Sequence, residues 1–435
     1  MRYNRLSYFL LLSLLLSWGC GPADQESAEA DEETIAEEDN LILDILRSRE
    51  VPVIDTVLSN PNKFQVQILY TQIDRDENNR PSFTEYAYGV NPNNYFYPAS
   101  TVKFPAALLA LQKLNELNIE GLDKYSTMVT DSAFDGQTRV EYDTTSETGR
   151  PSVGHYIKKI FIVSDNDAYN RLYEFLGQDY INNELHEKGF EDVRIVHRLA
   201  IFNNAEQNRN TNPVTFYDNA KILYQQDLVT SARDWLLNSP IPMGKGFIRN
   251  DTLINKPKDF GQNNFISVGN LQGMLKAVIF PEAVPESQRF DLSDEDYRYL
   301  YRYMSQLPRE TSFPNYAADS SFYDSYSKFF LFGDSKGQIP DNIRIFNKIG
   351  MAYGFLTDNA YIVDFDRNIE FMLTAVIFTN ENEIFNDGVY EYDEIGLPFL
   401  SELGRAIFEY EMAREREHQP DLSKFKVTYD KEDNS

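Results

Sequence analysis

Cysteine is almost missing: Cys20 is the only one in 435 residues. No intramolecular disulfide can form, and a cysteine-ligated zinc site is excluded. Histidine is scarce as well. His155, His186, His197 and His418 are the full set, and none falls in an HExxH arrangement. Positive charge is short, with 41 Lys and Arg against 68 Asp and Glu and a formal charge of -27. A surface that acidic repels phosphate backbones, so no nucleic-acid partner is expected. There is no Gly-rich phosphate loop and no internal repeat, and no cofactor or metal is expected. What is present is apolar material: 42% hydrophobic and 14% aromatic residues, enough for a sizeable core in one large domain or two ordinary ones.

The N-terminus reads as an address. Arg2 and Arg5 precede an apolar run from Tyr8 to Trp18, too short to span a bilayer but long enough for a secretory signal. Gly19 and Cys20 follow, a small residue and then a Cys, which is the pattern of a bacterial lipoprotein signal; a plain signal peptide is the alternative. Gly21 to Asn40 holds nine acidic residues and no basic one, and reads as a solvated tether. The expected organisation is a signal at 1–19, a tether at 20–40 after a lipidated Cys20, a folded domain at 41–414 and a polar tail at 415–435, frayed from about Pro420. The expected location is outside the cytoplasm, anchored to a membrane and facing the periplasm or the cell surface. Oligomeric state is not readable.

Within the domain, Leu41 to Leu58 shows helical spacing interrupted by Pro52. Phe64 to Tyr70 and Phe83 to Val90 alternate as strands around a polar turn. Ser100 to Leu117 is helical, and the chain reads mostly helical to about Tyr224. Strands return at 346–350, 360–365 and 369–378, and a last helix covers Leu397 to Arg414 with Phe399, Leu400, Leu403, Ile407 and Tyr410 on one stripe. Ser293 and Asp296 form a capping-box pattern ahead of Tyr297, Tyr299, Tyr301 and Tyr303, predicting a helix whose aromatic stripe packs against the core. This order predicts an α+β fold: an antiparallel sheet from both chain ends (41–98 and 343–414) plus an all-helical lobe (99–342).

Three short motifs carry the chemistry. Ser100-Thr101-Val102-Lys103 opens a helix after a Pro-Ala turn. Residues three apart share a helix face, so Lys103 reaches Ser100. A Ser hydroxyl becomes a nucleophile when a base takes its proton, and a Lys amine does so when burial lowers its pKa. The plainer reading makes Ser100 an N-cap and Lys103 a surface residue. Ser164-Asp165-Asn166 lies between two helical runs, where Ser164 can protonate a leaving group and Asn166 can hold a substrate amide, or where the tripeptide merely caps a helix. Lys348-Ile349-Gly350 lies in a strand: Lys348 offers a fixed charge to an anionic group and Gly350 lets a substrate backbone lie close.

The ordered set resembles the penicillin-recognising serine hydrolases, most closely the class A β-lactamase-like group, whose motifs are S-x-x-K, S-D-N and K-T-G. Ser152-Val153-Gly154 resembles the family's lead-in to the second motif, and Asn210-Thr211-Asn212-Pro213 the end of its omega loop. The resemblance implies a β-lactamase/transpeptidase-like mixed sandwich and a set of roles. Ser100 would be the acyl-forming nucleophile, Lys103 its base, Ser164 the proton donor to the leaving nitrogen, and Asn166, Lys348 and Gly350 substrate-binding residues. The backbone N–H groups of Ser100 and Met351 would form the oxyanion hole. Two departures stand out. Ile349 replaces the motif Thr, and residues 195–204, where the family places its deacylating Glu, contain no carboxylate. Glu206 is the nearest substitute, but it sits close to Pro213, and a solvated loop Glu is the commoner reading. The expected activity is acyl transfer through Ser100 on a β-lactam or peptide amide. A cell-wall peptidase or esterase, and a surface-binding lipoprotein without turnover, are the alternatives.

Overall fold

The computed structural model describes residues 40–431 except 135. The signal segment, Cys20, the tether up to residue 39 and the last four residues lie outside them. Asn40 caps the first helix, α1 (Leu41–Arg47), accepting from the Ile42 and Leu43 N–H groups at 3.1 and 3.3 Å. A second short helix starts at Pro52, where the missing N–H is harmless.

Five strands form the central antiparallel sheet: β1 (Gln67–Arg75), β2 (Pro81–Tyr88), β3 (Ile343–Ala352), β4 (Phe355–Asp364) and β5 (Ile369–Phe378), in the order β3-β4-β5-β1-β2. Both chain ends supply it, as expected. The first strand begins later than expected because Pro61–Phe64 takes a helical turn and Gln65 turns left-handed at φ 45°. Every residue of β4 and β5 is buried, since the sheet is covered on both faces. Ile68, Tyr70, Ile362, Phe371 and Leu373 point to one face and meet Ile42, Leu46, Phe399, Leu403 and Ile407 of α1 and the C-terminal helix Leu397–Ala413. Leu69, Ile73, Tyr361, Val363 and Met372 point to the other face, into the main core.

The remaining helices used below are α2 (Lys103–Leu117), α3 (Val153–Ile162), α4 (Asn166–Leu176), α5 (Val268–Ile279) and α6 (Asp294–Ser305), and the C-terminal helix is α7. The predicted capping box starts α6: Ser293 and Asp296 cap each other's backbone N–H groups. Its tyrosines pack, with Tyr301 donating to the Val278 carbonyl at 3.0 Å. Helix α5 is stitched to the sheet by Gln272, which donates to the Leu69 carbonyl and Thr374 Oγ1.

Two expectations need correction. The segment 99–342 is not all helical. Thr127–Thr130, Val214–Asp218 and Lys221–Gln226 form a three-stranded sheet, and Gly246–Arg249 and Thr252–Ile254 form a hairpin. Aromatic and β-branched residues such as Thr215, Phe216, Tyr217 and Ile222 favour that state. Nor is the tail frayed where it is described. Leu422, Phe425 and Tyr429 are buried, and the Phe425 ring meets Tyr301, Phe346 and Tyr361 at 4.9–5.5 Å. Asp430 pairs with Lys158 at 2.5 Å and Arg302 at 2.9 Å. Apolar residues three and four apart outweigh the segment's average polarity.

Candidate active site

Pro98 and Ala99 lead into a 3-10 turn, Ala99–Val102, that runs directly into α2. Ala99 has φ 47°, a left-handed conformation that costs energy without a glycine. The turn has no side-chain cap; its Thr101 N–H donates to the Pro98 carbonyl at 3.0 Å. Pro105 sits in the first turn of α2, where it is tolerated. Lys103 is fully buried and its Nζ lies 2.8 Å from Ser100 Oγ. The same nitrogen donates to the Ser164 carbonyl at 2.5 Å and Asn166 Oδ1 at 2.7 Å, and lies 3.3 Å from Ser164 Oγ. Burial pulls the Lys103 amine down to about 7, against a smaller upward pull from Asp165.

Ser164 takes φ 55° between α3 and α4. Asp165 is the residue that caps α4, accepting from the Ala168 N–H at 2.8 Å, which leaves Ser164 and Asn166 to face Lys103. Lys159 holds this loop from behind, 3.4 Å from Asp165 and 3.1 Å from Asp143.

Lys348 comes from β3, the edge strand. Its Nζ lies 2.8 Å from Ser164 Oγ and 3.0 Å from its neighbour's carbonyl at Ile349. Burial and the nearby Lys103 push it well below the ordinary lysine range, while Asp358 pulls the other way. Ser100, Lys103, Ser164, Asn166 and Lys348 therefore form one hydrogen-bonded chain. Gly350 does not serve as expected. A Cβ there would stand 2.5 Å from the Pro98 carbonyl and 3.3 Å from Ala99 Cβ. Its space is taken by the turn that carries Ser100, so glycine is needed to dock the edge strand on that turn, not to admit substrate.

A deeper layer was not legible in the sequence. Asn347 donates to Asp358 Oδ1 at 2.7 Å and accepts from Lys328 Nζ at 2.5 Å, and Asp358 also accepts from the Phe329 and Phe330 N–H groups. Burial pushes Asp358 up and Lys328 down. The local signal was slight: Asn347 precedes Lys348, and Asp358 pairs with Ile349 across the strands.

Ser100, Asn166 and Met351 line a cleft of about 1470 Å³. One wall is the loop from Ile195 to Asn212. Its neck is clasped by Arg198, which donates to Glu174 through Nε at 2.6 Å and Nη2 at 2.8 Å and reaches the Asn210 carbonyl at 2.6 Å. The Asn212 N–H donates to the same carboxylate at 2.6 Å. His197 is stacked on Tyr97 and hydrogen-bonded at Nδ1 to the Arg198 carbonyl, and burial lowers it to about 4, leaving it neutral. Among the described residues only two carboxylates line the cleft, Asp234 and Asp259. Asp259 is committed to the Ile241 and Gly261 N–H groups, both at 2.8 Å. Glu206 does not fill the expected place: it lies exposed on a short helix, Ala205–Arg209, and is not among the cleft's lining residues. The helix turns its side chain outward while its neighbours Asn204, Ala205 and Asn208 face the cleft.

Residues 52–239 match the sequence model of the β-lactamase enzyme family. Over those residues the chain is similar to that family. The match spans the first two motifs and the loop with its Arg198 clasp, and supports a hydrolase of the serine β-lactamase kind. A search of curated proteins found no match. Solved structures similar to this chain include a β-lactamase from Xanthomonas campestris pv. campestris, at 14% identity and TM-score 0.46, covering 85% of this chain and 99% of that one. A β-lactamase from Sphaerobacter thermophilus is similar at 12% identity and TM-score 0.45, covering 83% and 98%. The structure of PBP-A is similar at 13% identity and TM-score 0.45, covering 86% and 96%. Among the described residues no group of His, Cys, Asp and Glu could hold a metal ion, and no helix is long and apolar enough to cross a membrane.

Proposed function

We propose that the protein is a serine acyl-transferring hydrolase that opens β-lactam or related amide bonds through an acyl-Ser100 intermediate and releases the acyl group slowly. The observation that carries this reading is the buried Lys103 amine, 2.8 Å from Ser100 Oγ and lowered to about 7. In its neutral form the amine donates its two N–H bonds to the Ser164 carbonyl and Asn166, leaving its lone pair for the Ser100 proton. As Oγ attacks the carbonyl carbon, Lys103 takes that proton, and the Ser100 and Met351 N–H groups stabilise the oxyanion. The C–N bond breaks as Ser164 protonates the leaving nitrogen. Lys103 or Lys348 then restores the Ser164 proton. Lys348 is positioned to meet a substrate carboxylate, whose charge offsets the repulsion between the two lysines. Among the described residues, the two carboxylates lining the cleft, Asp234 and Asp259, are hydrogen-bonded to neither Ser100 nor Lys103, which supports slow deacylation.

The direct test is intact-protein mass over time after mixing with benzylpenicillin, beside Ser100→Ala. A penicilloyl adduct is expected on the wild type only, and its decay gives the deacylation rate. Intact drug with no adduct would overturn the reading. The acylation rate is expected to rise with pH through about 7 and then level, because the neutral amine is the active form. One pH unit below that value should cost about tenfold. A flat profile from pH 5 to 8 would remove Lys103 as the base.

We also propose that the protein is exported and held to a membrane by a lipid on Cys20. Cys20→Ser should move it from the membrane to the soluble fraction. Membrane association that survives the substitution would sink the anchor.

A further inference from the structure

The cleft has the opposite polarity to the chain. Among the described residues Arg198, Arg209, Arg249, Lys256 and Lys258 line it against only Asp234 and Asp259, in a molecule of net charge -27. Arg198 is neutralised by Glu174, and Arg209 is spent on the Ser231 carbonyl at 2.6 Å. Arg249 and Lys258 have no carboxylate partner among the described residues. They nevertheless converge. Lys258 Nζ lies 5.9 Å and the Arg249 guanidinium 5.2 Å from the centre of the same ring, Phe247. Lys258 also lies 5.0 Å from the Phe260 ring and 5.3 Å from Tyr353. Burial and the Arg249 charge lower the Lys258 amine, and Asp259 opposes them only weakly.

This arrangement is built. Arg249 ends one strand of the hairpin whose turn, Asn250-Asp251, is left-handed at both residues, φ 48° and 56°, the geometry of a tight two-residue turn. Lys258 pairs with Met243 on a separate two-residue ladder. The cage connects to the catalytic turn through aromatic rings: Phe260 meets Tyr353 at 5.5 Å, and Tyr353 meets Tyr97 at 5.0 Å, three residues before Ser100. Two unneutralised cations sharing one aromatic floor raise a positive potential that an acidic protein otherwise lacks.

We propose that Arg249 and Lys258 form a second anion subsite that takes a carboxylate on the part of the substrate remote from the reacting amide. Lys348 serves the carboxylate next to the reacting bond, so the preferred substrate class is an acyl donor with two carboxylates. The proposal rests on the reading of Ser100 as the nucleophile. Lys256, exposed on the same rim, adds long-range attraction.

The test uses benzylpenicillin and its α-carboxy derivative, which differ by one side-chain carboxylate. Acylation efficiency at Ser100 is expected to favour the dicarboxylate by roughly five- to tenfold at low salt. The preference should fall towards one in the Arg249→Gln/Lys258→Met double variant, with benzylpenicillin acylation little changed. Equal efficiencies in both proteins would overturn the subsite and leave the nucleophile standing. If neither compound acylates the wild type, the nucleophile reading fails, and the subsite is judged by a measurement without chemistry. Lysines are reductively ¹³C-methylated, and the Lys258 resonance, assigned with Lys258→Arg, is followed by NMR during titration with glutarate. A shift that is lost in Arg249→Gln supports the subsite. No shift overturns it.

Discussion

Lys103→Ala is expected to lower the rate of Ser100 acylation by about 10²- to 10⁴-fold, the usual worth of a positioned general base. The melting temperature should change little, because two effects oppose each other. The substitution removes a long side chain from a fully buried site and leaves a cavity. It also removes an amine whose charged form is strongly disfavoured there, as its fall to about 7 records. Acylation is read by intact mass against time and folding by a thermal melt of the same sample. A variant that acylates at the wild-type rate would show that another group takes the Ser100 proton. A variant that melts far lower would make Lys103 a structural residue first.

The second large effect is on stability. Arg198→Ala leaves the Glu174 carboxylate buried with, among the described residues, only the Asn212 N–H still donating to it. Breaking one side of a buried pair typically costs about 3–5 kcal/mol. The loss should appear as a lower urea midpoint. It should also appear as protease cleavage between Leu199 and Asn204, where Ile201 and Phe202 are already exposed. The Glu174→Gln/Arg198→Met double variant should recover much of the stability, since the unpaired charge is then gone. If Arg198→Ala unfolds at the wild-type urea concentration, the clasp contributes nothing and the loop is held by other contacts.

The catalytic chain was legible because each of its parts is local. Ser100 and Lys103 are one helical turn apart, Ser164 to Asn166 span a helix junction, and Lys348 is fixed by its strand. The sequence could name these residues but not what neutralises them. The Glu174 clasp on Arg198 spans 24 positions, and Asp358 meets Lys328 through Asn347. Such partners are set by strand register and loop path, which periodicity does not encode. The same holds for Arg249 and Lys258, which lie 5.2 and 5.9 Å from the centre of the Phe247 ring because a hairpin and a separate ladder bring them there. Gly350 shows a subtler limit: that the position needs glycine was readable, but the neighbour that demands it was not. Glu206 was chosen for its place along the chain, and the helix it sits in directs it to solvent.

The end of the chain has a consequence for the order of folding. Strands β1 and β2 are made first, but β1 completes its pairing only with β5, about 300 positions later, with Gln67 opposite Val376. The last pieces are Phe425, wedged among Tyr301, Phe346 and Tyr361, and Asp430, which locks α3 and α6 through Lys158 and Arg302. A chain synthesised from its N-terminus cannot complete this core until residue 430 has left the ribosome. Pairings so distant are slow to form, because loop-closure entropy is lost before the contacts compensate for it. The central sheet and the core beneath Phe425 are therefore the last parts of the fold to close, and earlier elements form without them.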